Sequence, residues 1–150
     1  MSIGISSFLS PSAVVLDLRA TDKTSLLHEL SRRAAGIARL PTETVFAELD
    51  KRERLGSTGI GDGIAIPHAK YAGLTETIGL VARLKPALDF DAVDGRPVDL
   101  VFLLLAPASS DKMHLNALAA VSRRLRNREV IAKLRASPDA ASFYSLLTSE

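Results

Sequence analysis

Apolar residues recur along this chain with two different spacings, and the alternation between them outlines its elements. Ala13 to Leu18 is mostly apolar and reads as an extended segment. Thr21 or Asp22 is suited to cap a helix that carries Leu26, Leu27, Leu30, Ala34 and Ile37 on one face. Pro41-Thr42 opens a second helix, with Val45, Phe46 and Leu49 inward and Glu48, Lys51 and Arg52 elsewhere; Gly56 ends it. Thr77 to Leu84 reads as a strand, Asp94-Gly95-Arg96-Pro97 as a turn, and Val98 to Leu105 as a strand covered on both faces, because its apolar run is almost unbroken.

The last third of the chain returns to helical spacing. Ser110-Asp111 starts a helix bearing Leu115, Leu118, Val121 and Leu125, and a short helix follows around Glu129 to Arg135. Ser137-Pro138-Asp139 is a start signal for a final helix with Phe143, Leu146 and Leu147 on its apolar side. Helices flanking a set of strands predict one α/β domain spanning residues 1–150, its central sheet covered by helices. Strand order is not readable from this pattern.

Composition narrows the class. At 150 residues and 47% hydrophobic, the chain has enough apolar material for one core and too much for a disordered segment. No apolar run approaches the ~20 residues that span a bilayer, and the stretch MSIGISSFLSPSAVV lacks the basic start of a secretory signal. The expected location is the cytoplasm, with no membrane insertion. Cysteine is absent, which excludes disulfides, thiolate zinc sites and cysteine nucleophiles. A net charge of +2 does not point to nucleic acid. The run Arg123, Arg124, Arg126, Arg128 reads as a solvated helix face, since no aromatic residues interleave it.

The segment Leu55 to Lys70, LGSTGIGDGIAIPHAK, departs from both periods. Gly56, Gly59, Gly61 and Gly63 loosen the backbone, Ile64-Ala65-Ile66 tightens it, and Pro67 fixes the direction of the chain just before His68. His114 lies near the start of the Ser110 helix, just past the end of the long apolar strand, where sites in α/β sheets gather. If both strands end on the same edge, the two imidazoles meet. His28, in HELSR, does not form an H-E-x-x-H motif because Arg32 stands at the fifth position, and it reads as a solvent-facing or boundary helix residue.

Other chemistries fit poorly. Two histidines without a third ligand do not make a zinc site, so no metal is expected. No Lys-Ser or Lys-Thr follows the glycines, as a phosphate-binding Walker loop requires, and they lie between a helix and a strand, the reverse of a dinucleotide fingerprint. A plain mobile loop remains open, though it leaves Pro67-His68 unexplained. Taken alone, His114 reads as a capping or surface histidine and Arg52 as a solvated helix residue.

The run Arg52-Glu53-Arg54-Leu55-Gly56-Ser57-Thr58-Gly59-Ile60-Gly61-Asp62-Gly63-Ile64-Ala65-Ile66-Pro67-His68 resembles the active-site signature of phosphotransferase-system IIA proteins of the mannitol/fructose class. It is most similar to the nitrogen-regulatory branch, R-E-x-x-G-S-T-G-I-G-x-G-I-A-I-P-H. The similarity continues through FDAVDGRPVDLVFLLLAP and His114-Leu115, and so spans nearly the whole chain. Ala69 departs from the pattern, standing where glycine is common. The resemblance implies a single IIA domain with a mixed β-sheet covered by helices. It implies that His68 accepts a phosphoryl group, with His114 as the second active-site histidine and Arg52 as the active-site arginine. The implied donor is an HPr-like phosphocarrier, charged by an Enzyme I-like kinase from phosphoenolpyruvate, and the implied readout is binding to regulatory protein targets. No cofactor is expected.

These residue types suit that chemistry. A neutral imidazole is a competent nucleophile near pH 7, an arginine offers a planar fork to phosphoryl oxygens, and a second imidazole adds a donor. Gly56, Ser57, Thr58, Gly59 and Gly61 form the expected phosphate- and partner-binding loop, with Ile60, Ile64 and Leu55 as an apolar rim for the visiting donor. Two other readings stand beside this one. One is a sugar-specific IIA carrier that passes phosphate to a IIB domain, although no IIB or membrane IIC segment occurs in these 150 residues. The other is a binding module on the same scaffold that has lost phosphotransfer.

Overall fold

The computed structural model describes residues 4–149; residues 1–3, which open the stretch read for a signal, and residue 150 lie outside it. The expected α/β architecture with a mixed sheet is present. Strand β1 (Val14–Leu18) leads into helices α1 (Lys23–Ala38) and α2 (Thr42–Arg54). Three short strands follow, β2 (Gly59–Gly61), β3 (Ile64–Ala65) and β4 (His68–Tyr71), then the long β5 (Ile78–Leu88) and β6 (Val98–Pro107). Helices α3 (Asp111–Arg124), α4 (Arg128–Ala136) and α5 (Ala140–Thr148) complete the chain.

β6 is the axis of the sheet. Its apolar run is buried at nearly every position, as its sequence requires. β5 pairs with one edge antiparallel and is followed by β1 in parallel; β3 and then β4 occupy the other edge, both parallel to β6. The register is the same for both: Ile64 and Ala65 lie opposite Leu100 and Val101, and His68 to Tyr71 opposite Leu104 to Pro107. β3 and β4 therefore form one line along β6, interrupted at Ile66-Pro67. β2 folds back on β3 through Asp62 and Gly63, both at positive φ (57° and 80°), as two-residue hairpin turns demand.

Two helix groups cover the sheet. α1 and α2 pack on each other and against β5 and β4; α3 and α5 pack against β6 and β1, with α4 against α5. Phe102 of β6 is fully buried and meets Phe8 edge-on, with ring centroids 6.2 Å apart.

Several details differ from the sequence expectations. Asp22 caps α1, its carboxylate accepting from the Ser25 amide at 2.8 Å. Ile37, however, is exposed: α1 stops one residue later at the left-handed Arg39, and Ala35 is buried in its place. The strand read as Thr77 to Leu84 continues to Leu88, across an irregularity in its pairing. Ser137 does not start the last helix. It closes α4, its hydroxyl donating to the Lys133 carbonyl at 2.9 Å, and Asp139 caps α5 through the Ser142 amide. Leu115 is exposed on the first turns of α3. Arg124 is not a solvated residue: its guanidinium donates to the Leu146 carbonyl at 2.6 Å and ties α3 to α5.

The packing generates a stability prediction. Phe102→Ala should lower the unfolding free energy by about 3–5 kcal/mol. Urea unfolding should show this as a lower midpoint with an unchanged slope.

Candidate functional site

The break at Ile66-Pro67 builds the site. Proline has no N–H to give the ladder, and its carbonyl accepts the Leu104 amide at 2.9 Å. The preceding carbonyl, of Ile66, instead faces the ring of His68 and accepts a hydrogen bond from Nδ1 at 2.8 Å. The proton thus sits on Nδ1, and Nε2 carries the lone pair. The Ile66 amide is spent on the Thr58 carbonyl at 3.0 Å, which ties the glycine-rich loop to the same two residues.

His114 comes to the site from the other side of β6. Ser110 caps α3 by accepting the Met113 amide, and the first turn carries His114 to within 5.2 Å of the His68 ring, centroid to centroid, tilted by 45°. Its Nδ1 is buried without a hydrogen-bond partner. A buried lone pair is cheaper to leave alone than a buried N–H, which puts the His114 proton on Nε2, where it is available as a donor. Lys70 on β4 and Asp111 on α3 join the two elements by an ion pair of 2.6 Å.

Both imidazoles are held below the usual 6.5. For His68 the main cause is burial; the Arg52 guanidinium pushes the same way, against the Ile66 hydrogen bond and the Glu53 carboxylate. For His114, burial leads, His68 and Lys70 add to it, and Asp111 opposes. The pair is therefore neutral at pH 7, the form in which one ring can attack and the other can donate.

Arg52 and Glu53 end α2. Arg52 is half-buried, within electrostatic reach of His68, and places Nη1 on the Gly56 carbonyl at 2.9 Å. That leaves the rest of its fork without a protein acceptor among the described residues. Glu53 was not among the sequence candidates. It lies two turns beyond Val45 and one beyond Leu49 on the buried face of α2, and that spacing was the signal that could have found it. A carboxylate on an inward face must find partners.

The loop residues divide by role. Gly56 stands exposed at φ 155°. Ser57 donates to the Phe90 carbonyl at 2.9 Å and accepts from the Gly59 amide at 3.0 Å. Thr58 is buried, with its hydroxyl and its amide on the Glu53 carboxylate. Gly59 has no room for a side chain: a Cβ there would lie 2.8 Å from that of Ala92. Gly61 sits at positive φ in β2. In this state the two hydroxyls hold the loop and point at protein acceptors. Of the expected apolar rim, Leu55 and Ile60 are exposed, but Ile64 is in the core at 1% exposure because it pairs with β6. Val93, whose amide donates to the Gly59 carbonyl, and Met113 and Leu115, which flank His114 in sequence, are also exposed. His28 lies on the outer surface of α1, stacked on Phe46 at 3.6 Å and away from these groups. No cluster of three or more metal-ligating side chains occurs among the described residues.

A fold of this topology, with two neutral histidines facing each other beside an arginine, defines a class, and the family comparison agrees with it. The sequence pattern described as "Phosphoenolpyruvate-dependent sugar phosphotransferase system, EIIA 2" matches residues 7–150, and the chain belongs to that family. Its place is on the nitrogen-regulatory branch. A nitrogen regulatory protein of Bradyrhizobium diazoefficiens is 45% identical over 143 residues, covering 95% of this chain and 94% of that protein. The crystal structure of nitrogen regulatory protein IIA-Ntr from Neisseria meningitidis matches with a TM-score of 0.92 at 34% identity, covering 96% of this chain and 99% of that one. Mannitol IIA of Escherichia coli, solved by NMR in complex with phosphorylated IIB, shares the fold with a TM-score of 0.78 at 18% identity, over 92% of this chain and 95% of that one.

The geometry makes a pH prediction. Unfolding returns both rings to solvated values near 6.5, so below that pH the unfolded chain binds more protons than the folded one. The contribution to stability is complete above pH 6.5 and is lost as the pH falls through that value toward the folded midpoints. NMR titration should place both midpoints below 6.5, with His68 in the Nδ1–H tautomer, and His68→Ala should flatten the loss of stability between pH 7 and 5.

Proposed function

We propose that this chain is a phosphohistidine carrier of nitrogen-regulatory type, working in the cytoplasm. His68 accepts a phosphoryl group on Nε2 from the phosphohistidine of an HPr-like protein, which an Enzyme I-like kinase charges from phosphoenolpyruvate. The phosphorylation state then governs which regulatory proteins the chain binds. The observation that carries this reading is the Ile66 carbonyl on Nδ1 of His68, which leaves Nε2 as the free nucleophile next to a second imidazole.

The step balances without a metal or an external base. The Nε2 lone pair forms the new N–P bond as the donor's N–P bond breaks, and that electron pair returns to the donor imidazole. The Nδ1 proton of His68 stays in place, and the Ile66 carbonyl faces the positive charge that develops on the ring. Phosphoryl transfer asks mainly for alignment and for cover of the equatorial oxygens. The open part of the Arg52 fork and the Nε2–H of His114 supply that cover. The exposed rim of Leu55, Ile60, Val93, Met113 and Leu115 gives the donor a small apolar footing, as a transient encounter requires. Support for the regulatory role comes from the relatives that bear that name.

Incubation with donor proteins and labelled phosphoenolpyruvate should give an acid-labile phosphate on the chain. His68→Ala should take up none. Arg52→Met and His114→Ala should each slow uptake on the order of 100-fold. Label remaining on His68→Ala would overturn the assignment. Fast onward transfer to a fructose- or mannitol-type IIB would instead favour a sugar-specific carrier, and a wild-type chain that takes up no label would favour a phosphotransfer-silent binding module.

A further inference from the structure

The buried carboxylate of Glu53 is the most heavily partnered charge near the site. Its side chain is only 4% exposed. The Thr58 amide donates to both of its oxygens at 3.2 Å, and the Thr58 hydroxyl donates as well. Lys23, the first residue of α1, reaches it with Nζ at 2.8 Å. The same ammonium lies over the Phe90 ring, 4.5 Å from the centroid, and 3.9 Å from the Asp91 carboxylate. One carboxylate thus draws together the start of α1, the end of α2, the glycine-rich loop and the segment after β5.

A buried ion pair is a costly way to join two helices. Apolar residues of similar volume would hold α1 and α2 together with less desolvation. The loop cannot be held that way, because the Thr58 amide needs a strong acceptor in a place closed to water. Thr58 in turn receives the Ile66 amide on its carbonyl, and Ile66 holds the ring of His68. The chain of hydrogen bonds runs from Lys23 through Glu53, Thr58 and Ile66 to the imidazole.

We propose that Glu53 is a positioning residue for the phosphoryl acceptor: with Lys23 as counter-ion, it fixes the loop that orients His68 and sets a buried negative charge within electrostatic reach of the ring. This rests on His68 being the acceptor. The charges that act on His68 are Arg52 and Glu53 from α2; its neighbour His114 on α3 is acted on by Lys70 from β4 and by Asp111. Arg52 and a protonated His114 disfavour positive charge on the ring, and Lys70 is paired with Asp111 at 2.6 Å. The Ile66 carbonyl is the larger influence that favours charge on the ring, and the Glu53 carboxylate adds to it and opposes Arg52. Removing its charge while leaving Lys23 in place should weaken the nucleophile twice over.

Four variants separate this role from a purely structural one. In Glu53→Gln, NMR should show the His68 midpoint lower than in wild type. The acid limb of the pH profile for phosphoryl uptake should move down with it, and the plateau should drop. Lys23→Met should move the midpoint the other way, and the double variant Lys23→Met/Glu53→Gln should bring it back toward wild type. Thr58→Val, which removes one hydroxyl bond and keeps the charge, should slow uptake and lower the midpoint less than Glu53→Gln does. A His68 midpoint and acid limb that are the same in Glu53→Gln and in wild type would overturn the proposal, whatever the rate. Should Glu53→Gln fail to fold, an unchanged midpoint in Lys23→Met would do so equally. The midpoints are read on unphosphorylated protein, so they test Glu53 even if the wild-type chain takes up no phosphoryl group and the carrier reading itself fails.

Discussion

The site depends on where the edge strand of the sheet lets go of β6. β3 and β4 keep one register along that strand, so the chain leaves and rejoins the same ladder within two residues. A proline at the interruption is what makes it cheap. It has no amide to orphan, and it frees the carbonyl before it from the sheet. That carbonyl then serves an imidazole. Orientation, tautomer and position along the sheet thus come from backbone geometry, the least adjustable part of the molecule. The side chains around the ring tune what the backbone has already placed.

The electrostatic arrangement follows from that placement. A half-buried imidazole next to cationic and donor groups is kept uncharged, so its lone pair is available at neutral pH. The same groups would meet an incoming dianion with positive charge and N–H donors. Burial is the main cause of the ring's neutrality, and the Arg52 guanidinium adds to it. The ion pair between Lys70 and Asp111 links the two histidine-bearing elements at the surface.

Much of this was legible in the sequence where local rules decide. The unbroken apolar run of β6 forecast a strand buried on both faces, and Asp22 capped its helix as its residue type predicts. The glycine-then-proline run marked His68 because few structural reasons put a histidine there. What local rules could not rank was competition between neighbours. Ser137 and Asp139 are both good caps, and the choice went to Asp139 because the Arg83 guanidinium already holds the Ser137 carbonyl at the end of α4. Ile37 and Leu115 keep helical spacing, yet they are exposed on the last turn of α1 and the first turns of α3, and no pattern along one helix shows where its packing ends. Ile64 is apolar and close to the loop, which suits a rim, but its pairing with Leu100 of β6 puts it in the core. Glu53 keeps the inward spacing of Val45 and Leu49, so its burial is legible along α2, but its partner Lys23 on another helix is not.

The glycine-rich loop does not stand alone. Ser57 bonds the Phe90 carbonyl, Gly59 leaves no space beside Ala92 and accepts the Val93 amide, and the Asp62 amide meets the Asp94 carboxylate. Two stretches more than thirty positions apart are thus threaded into one another at four successive points. For protein engineering, the unit to exchange between IIA domains of this family is the pair of stretches together. A graft of the signature alone would arrive without its mould, and drift in either half during evolution would be answered in the other.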